Sequence, residues 1–258
     1  MQRADWEQAE KLFGLAIETN PADERAHRRY AEVLWRRELK EQAVRHMEEA
    51  VRLSGGDPEI LVELGEMYLA QGNLDGAWRQ AEAAIAAQRQ LASAWALRGD
   101  ILRSRQQLDE AMESYHRALS YQPNYPHVQI ALSDLYRQQN RPRRALSTLE
   151  SLVEQCGVER APVDVLLQQG LALKALGRYD RAVEVLTMAS ERGNPSVELL
   201  YHLGEAHWMA GNTASAALAV TAALARDPNH VPSRLLADQI QARQRTMTAG
   251  LKPSLVER

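Results

Sequence analysis

His202, Glu205 and His207 come nearest to a chemical site: two imidazoles around a carboxylate can hold zinc or move a proton. A helical HExxH zinc motif needs the histidines four residues apart, on one face. Here they are five apart, which turns them to different faces, and His207 falls on an apolar stripe. Cys156 is the single thiol. It closes the stripe Ala145, Leu149, Leu152 and precedes Gly157, the place of a small packed residue at a helix end. No electropositive helix start stands beside it to make it a nucleophile. Gly55-Gly56-Asp57-Pro58 reads as a turn, since no GxxxxGK[ST] phosphate loop accompanies it. Arg141-Pro142-Arg143-Arg144 reads as a solvated basic turn. No catalytic residue, metal-ligand set or cofactor is expected, and the chain does not read as an enzyme.

Composition narrows the partners. Of 258 residues, 45% are hydrophobic and 25% charged, the balance of a folded protein. A net charge of -3 supplies no field for nucleic acid. No apolar run reaches the ~20 residues of a membrane helix. Residues Met1 to Asn20 include Asp5, Glu7, Glu10 and Glu18, unlike a secretory leader. A cytoplasmic location is expected, with a periplasmic or membrane-tethered one left open if the chain belongs to a longer protein.

The elements repeat. Ala9, Ala43, Ala77, Ala111 and Ala145 are spaced by 34; Ala182 follows after 37 and Ala216 after 34. Seven residues beyond each stands Ala16, Ala50, Ala84, Ala118, Ala189 or Ala223, with Leu152 the one exception. A third column reads Ala31, Gly65, Gly99, Ser133, Gly170 and Gly204. Small residues in register let backbones approach closely. Apolar residues such as Leu61, Leu64, Tyr68 and Leu200, Leu203 recur around them at helical spacing. Gly72-Asn73, Asn140, Gly177-Arg178 and Gly211-Asn212 mark turns, and Pro58, Pro126 and Pro142 mark helix starts.

The stretch Trp95, Gly99, Leu102, Ala111, Tyr115, Ala118, Pro123 resembles one complete tetratricopeptide repeat. The resemblance runs from about residue 5 to 245. It implies an all-α, right-handed superhelical α-solenoid of helix-turn-helix units. The divisions are a half repeat at 5–23, full repeats at 24–57, 58–91, 92–125, 126–162, 163–196 and 197–230, a capping helix at 231–245 and a flexible tail at 246–258. It also implies a concave groove lined by first helices, in which a protein or peptide partner lies extended or helical. The paired Lys and Asn of the chaperone-tail clamp do not stand in matching places here, nor does the asparagine ladder of the sugar-transferase superhelices.

Two neighbouring columns of the first helices frame that groove. One reads Glu32, Glu66, Asp100, Asp134, Leu171, Glu205; three residues on, the other reads Trp35, Leu69, Arg103, Arg137, Lys174, Trp208. Asp100–Arg103 and Asp134–Arg137 suit ordinary i, i+3 pairs on a solvated face. Two sets lack the base: Glu59, Val62, Glu66, Leu69 and Glu198, Tyr201, Glu205, Trp208. These are expected to hold a partly basic, partly apolar segment. Arg25, Arg28 and Arg36 around Trp35, with Arg29 and Arg37, form a basic end. Ala9, Phe13 and Ala16 belong to a second helix without its first, an apolar surface open to self-association or to a partner's helix. Two other roles remain open: a structural arm of a larger assembly acting through its ends and edges, and a regulatory module of a separate enzyme.

Overall fold

The computed structural model describes residues 3–250, with side chains from 6 to 246. Those residues form fourteen α-helices and one 3-10 turn, and no strand. The helices are α1 (Arg3–Thr19), α2 (Glu24–Arg36), α3 (Lys40–Leu53), α4 (Pro58–Ala70), α5 (Leu74–Ala87), α6 (Ala92–Ser104) and α7 (Leu108–Tyr121). They continue as α8 (Pro126–Gln138), α9 (Pro142–Cys156), α10 (Val163–Ala175), α11 (Tyr179–Ser190), α12 (Val197–Met209), α13 (Thr213–Arg226) and α14 (Val231–Gly250). Among the described residues no helix is long and apolar enough to cross a membrane.

Local chemistry sets the starts. The Asp57 carboxylate accepts from the N–H groups of Glu59 and Ile60, with Pro58 in the first turn where its missing N–H is harmless. Asp23, Asn73 and Ser196 cap α2, α5 and α12 in the same way. The turn inside each pair is also one device repeated. Glu38, Gly72, Gln106, Asn140, Gly177 and Gly211 all have positive φ, between 55° and 85°. After each, the next N–H closes onto a carbonyl five residues back, as from Gln107 to Leu102 at 2.9 Å and from Asn212 to His207 at 2.8 Å. This double-bonded stop needs a left-handed residue, which glycine supplies without strain. Three of the six positions instead use Glu38, Gln106 and Asn140.

Packing follows the small columns. Ala43, Ala77, Ala111, Ala145, Ala182 and Ala216 are fully buried, as are their partners seven residues on. The glycines of the first helices are seats for side chains. A Cβ on Gly99 would stand 2.5 Å from the Tyr115 ring, on Gly170 2.5 Å from Leu186, and on Gly204 2.7 Å from Val220. Each seated residue lies sixteen positions beyond its glycine. At Gly65 the sixteenth residue is Ala81, and Leu97 of the following helix fills the seat instead.

The helices group into two compact units, Met1–Val128 and Gln129–Arg258, divided within α8. In the first, Ala31, Met47, Ile60 and Leu64 form one core cluster and Leu61, Val62, Ala81, Leu97 and Ile101 another. Arg98 lies over the rings of both Trp78 and Trp95, at 5.2 and 5.6 Å, and donates to Glu82 and Ser114, so an arginine stands where other repeats have Leu64, Leu132 and Leu203 without burying a bare charge. In the second unit the three-residue insertion begins at Gly157 (φ 80°) and forms the 3-10 turn Val158–Arg160. The Arg192 guanidinium donates to the carbonyls of Val158 and Ala161 and ties it down.

Helix α14 takes the place of a further first helix, with Ser233, Leu236 and Ile240 buried and Asp238 exposed. It extends five residues past the expected end at 245, because nothing in 246–249 breaks a helix before Gly250. The remainder of the expected tail, residues 251–258, lies outside the described residues.

Candidate functional site

In the first unit an open groove of about 760 Å³ lies along α2, with walls from α1 and α4. Trp6, Ala9 and Phe13 come from α1; Trp35 and Val33 from α2; Met67 and Ala70 from α4. Trp35 is half-buried against the α2–α4 core, and the Lys40 ammonium lies 5.8 Å from its ring centre. The charges in the groove are Arg29, Glu32, Arg36, Glu63 and Glu66.

Most of these charges are already matched. Glu63 takes two hydrogen bonds from Arg28, Nε–Oε2 being 2.8 Å. Arg29 grips both oxygens of Glu32 at 2.9 and 3.0 Å. Arg37 pairs with Glu10. The expected basic end is therefore smaller than its arginine count: Arg28 belongs to Glu63, and only Arg25 and Arg36 stay exposed with no acid paired to them among the described residues.

Glu66 differs. No Lys or Arg among the described residues pairs with it, although its side chain meets solvent. Crowding by protein raises its carboxyl above the usual range, and the Glu63 and Asp100 carboxylates push the same way; His127 opposes them. Desolvation therefore disfavours its ionised form more than His127 favours it, a condition that a nearer cation would relieve. Glu59 stands exposed in the first turn of α4, and Leu69 is half-buried beside the α4–α6 core. Val62 does not face the groove openly: at 4% exposure it is core, packed in one cluster with Leu97. A residue at its position touches the next first helix, so the apolar anchor expected there is already used.

Asp100 is bound more tightly than an i, i+3 pair. Arg103 approaches to 3.6 Å, while Tyr115 donates its hydroxyl to Oδ1 at 2.7 Å and His127 Nε2 lies 2.9 Å from Oδ2. Burial and that carboxylate raise the Tyr115 phenol strongly, and the hydrogen bond to Asp100 raises the His127 imidazole. Asp134 holds Arg137 at 2.6 Å and Gln138 at 2.7 Å. Both acids are structural fixtures.

In the second unit the expected unpaired set is overturned. The Lys174 ammonium reaches Glu205, and lies 3.0 Å from His202 Nδ1, itself 3.3 Å from Glu205. The hydrogen bonds from His202 and Lys174 hold the Glu205 carboxyl down to about 2. Burial lowers Lys174 more than Glu205 raises it. The two directions oppose; the hydrogen bonds that Glu205 accepts from His202 and Lys174 favour its ionised form, and the adjacent ammonium does the same. Tyr201 and Trp208 are not free either. Both pack against the α13–α14 cluster, and Arg243 lies 5.0 Å from the Trp208 ring centre. Glu198 remains exposed, 3.7 Å from His202. Lys174 could have been found from the sequence at a spacing of 31, one repeat less three, the offset that joins successive first helices.

On α1, Ala9, Phe13 and Ala16 are half-buried, and Leu12 and Leu15 are exposed. Cys156 is half-buried with its thiol directed to the Val153 carbonyl, and His207 is partly buried with its imidazole lowered by desolvation. Among the described residues no cluster of three or more His, Cys, Asp or Glu is placed to hold a metal ion.

Comparison with known proteins agrees with this architecture. One tetratricopeptide-repeat family model matches residues 1–58 and 167–231, and a second matches 40–101 and 102–155. Among solved structures, the Cut9–Hcn1 hetero-tetramer of APC/C aligns with a TM-score of 0.74 at 11% identity, over 91% of this chain. This chain spans 46% of the length of that one. Pseudomonas aeruginosa pilF aligns with a TM-score of 0.72 at 17% identity, over 85% of this chain and 97% of its own. YrrB, described as a TPR protein with an unusual peptide-binding site, aligns with a TM-score of 0.52 at 18% identity, over 88% of this chain and 97% of its own. At these identities the likeness is one of fold. No curated protein matches the sequence.

Proposed function

The chain belongs to the tetratricopeptide-repeat family, and on that premise we propose that it is a protein-binding scaffold whose working surface is the first-unit groove. One observation supports this reading above the rest. Glu66, a carboxyl with no base of its own, stands among Trp6, Phe13, Trp35 and Met67 in a groove open to solvent. Aromatic and apolar walls gain from covering, and an unmatched acid gains from a cation. The segment that satisfies both carries Lys or Arg together with apolar side chains, either extended or helical. The second unit offers less, because Glu205 is already matched and Tyr201 and Trp208 are already packed.

Affinity capture with the whole chain from extracts of its source cells, read by mass spectrometry, tests this. Trp35→Glu should remove the captured partner and Glu198→Lys should leave it. The opposite pattern would move the working surface to the second unit.

A further inference from the structure

We infer that His127 is a competing cation built into the first-unit groove, so that a basic segment docking at Glu66 expels the proton of the imidazole and docks more tightly as pH rises. This rests on Glu66 being the docking point, and adds the regulation of that site.

Two consecutive first helices bring the acids together. Leu97 of α6 fills the seat of Gly65 on α4, and Val62 packs in the same cluster. Glu66 follows Gly65 directly, and Asp100 stands three residues after Leu97, one repeat of 34 further along the same column. The Tyr125 phenol, just ahead of α8, is raised by burial and by both carboxylates, so it shares their field.

Asp100 has a cation from the next first helix and Glu66 does not. The Tyr115 hydroxyl occupies Oδ1 of Asp100, and His127, the second residue of α8, meets Oδ2 with its Nε2 at 2.9 Å. The Asp100 side chain is 16% exposed and that of His127 56%, so the imidazole covers the carboxylate from the solvent side. One repeat back, the second residue of α6 is Ser93, which brings no charge to Glu66. The offset of 27 that gives Asp100 its histidine therefore leaves Glu66 without one. His127 still acts on Glu66 from its place at Asp100, and favours the carboxylate there.

Its protonation decides how strongly. The hydrogen bond to Asp100 raises the imidazole above its ordinary 6.5, against burial and the Arg103 guanidinium; the Asp100 and Glu66 charges add to the rise. The charged groups facing it are thus Asp100 and Arg103 from α6 and Glu66 from α4, with the Tyr125 ring centre 6.4 Å from its own. As imidazolium it supplies the positive charge that a Lys or Arg of the partner would bring. As neutral imidazole it keeps an Nε2–H for Asp100 and makes the patch one charge more negative, which favours a basic segment. Proton and partner then oppose each other, and by linkage each weakens the other by the same factor.

The test uses the whole chain and a capped twelve-residue peptide of arginine, leucine and alanine, in which nothing titrates between about pH 6 and about pH 9. Calorimetry reads its affinity across that range. The native chain should bind about threefold or more tighter at the upper end, as loss of a unit charge within a Debye length allows. His127→Gln keeps a donor for Asp100 and should lose that dependence. In the native chain the His127 ring signal in NMR should titrate at lower pH once the peptide is saturating. Equal pH dependence in both chains, or a His127 titration that the peptide does not move, overturns the inference. If binding needs Glu66 yet ignores pH, the regulation falls and the groove stands. Binding that is indifferent to Glu66→Gln removes the docking point, and the regulation with it.

Discussion

The ring of Tyr115 rests on Gly99 while its hydroxyl donates to Asp100, the next residue, so one side chain fills a seat and satisfies a carboxylate across a helix pair. A Cβ at position 99 would stand 2.5 Å from the ring. Gly99→Ala should destabilise the first unit by about 1–3 kcal/mol in urea unfolding. Tyr115→Phe keeps the seat and loses the hydrogen bond, and should cost about 1 kcal/mol. If Gly99→Ala left stability unchanged, the close seat would be wrong.

Ala111→Glu forces a carboxylate into a fully buried alanine position and should destabilise by about 3 kcal/mol or more. Chemical denaturation reads it, and a negligible change would mean that the column is not a contact.

At the turns, Gln106 holds φ 63° where Gly72, Gly177 and Gly211 hold equivalent values. Gln106→Gly should raise stability by up to about 1 kcal/mol, since it removes left-handed strain from a non-glycine residue. Gly72→Val should lower it by about 1–3 kcal/mol by introducing that strain. Thermal melts that rank the two variants the other way would contradict the shared turn.

The ion pair in the second unit gives a pH dependence of definite sign. The Glu205 carboxyl sits near 2 in the folded chain, below its ordinary 4.5. Its stabilisation is thus fully present above about pH 4.5 and is lost as pH falls toward 2. The stability difference between the native chain and Glu205→Gln should be constant near neutrality and shrink across that window. A difference that grows on acidification would contradict the pairing with Lys174 and His202.

Glu66 has the opposite sign. Its raised carboxyl favours the protonated form in the folded chain, so its contribution weakens as pH rises. Glu66→Gln should make the free protein slightly more stable at neutral pH while weakening partner binding. Stability and binding that fall together would mark Glu66 as a structural residue.

The helix pairs were legible in the sequence because each depends on local periodicity and on small residues recurring at 34. The fate of the acids was not. An i, i+3 reading sees Arg103 beside Asp100 but cannot see Tyr115 or His127, which arrive from other helices. It also left Glu205 without a base, because Lys174 comes from the preceding pair. Val62, Tyr201 and Trp208 looked free for the same reason: neighbouring first helices cover them. At the offset of 31 that gives Glu205 its Lys174, Glu66 has Trp35, which carries no charge.

The measurement closest to the central claim is a selection from a random twelve-residue peptide library on the immobilised whole chain, run in parallel on Glu66→Lys. The native chain should select peptides enriched in Lys or Arg together with apolar residues, with binding weakened by salt as exposed charges are screened. Glu66→Lys should lose the basic preference. The same consensus from both proteins, or an acidic consensus from the native chain, would contradict it.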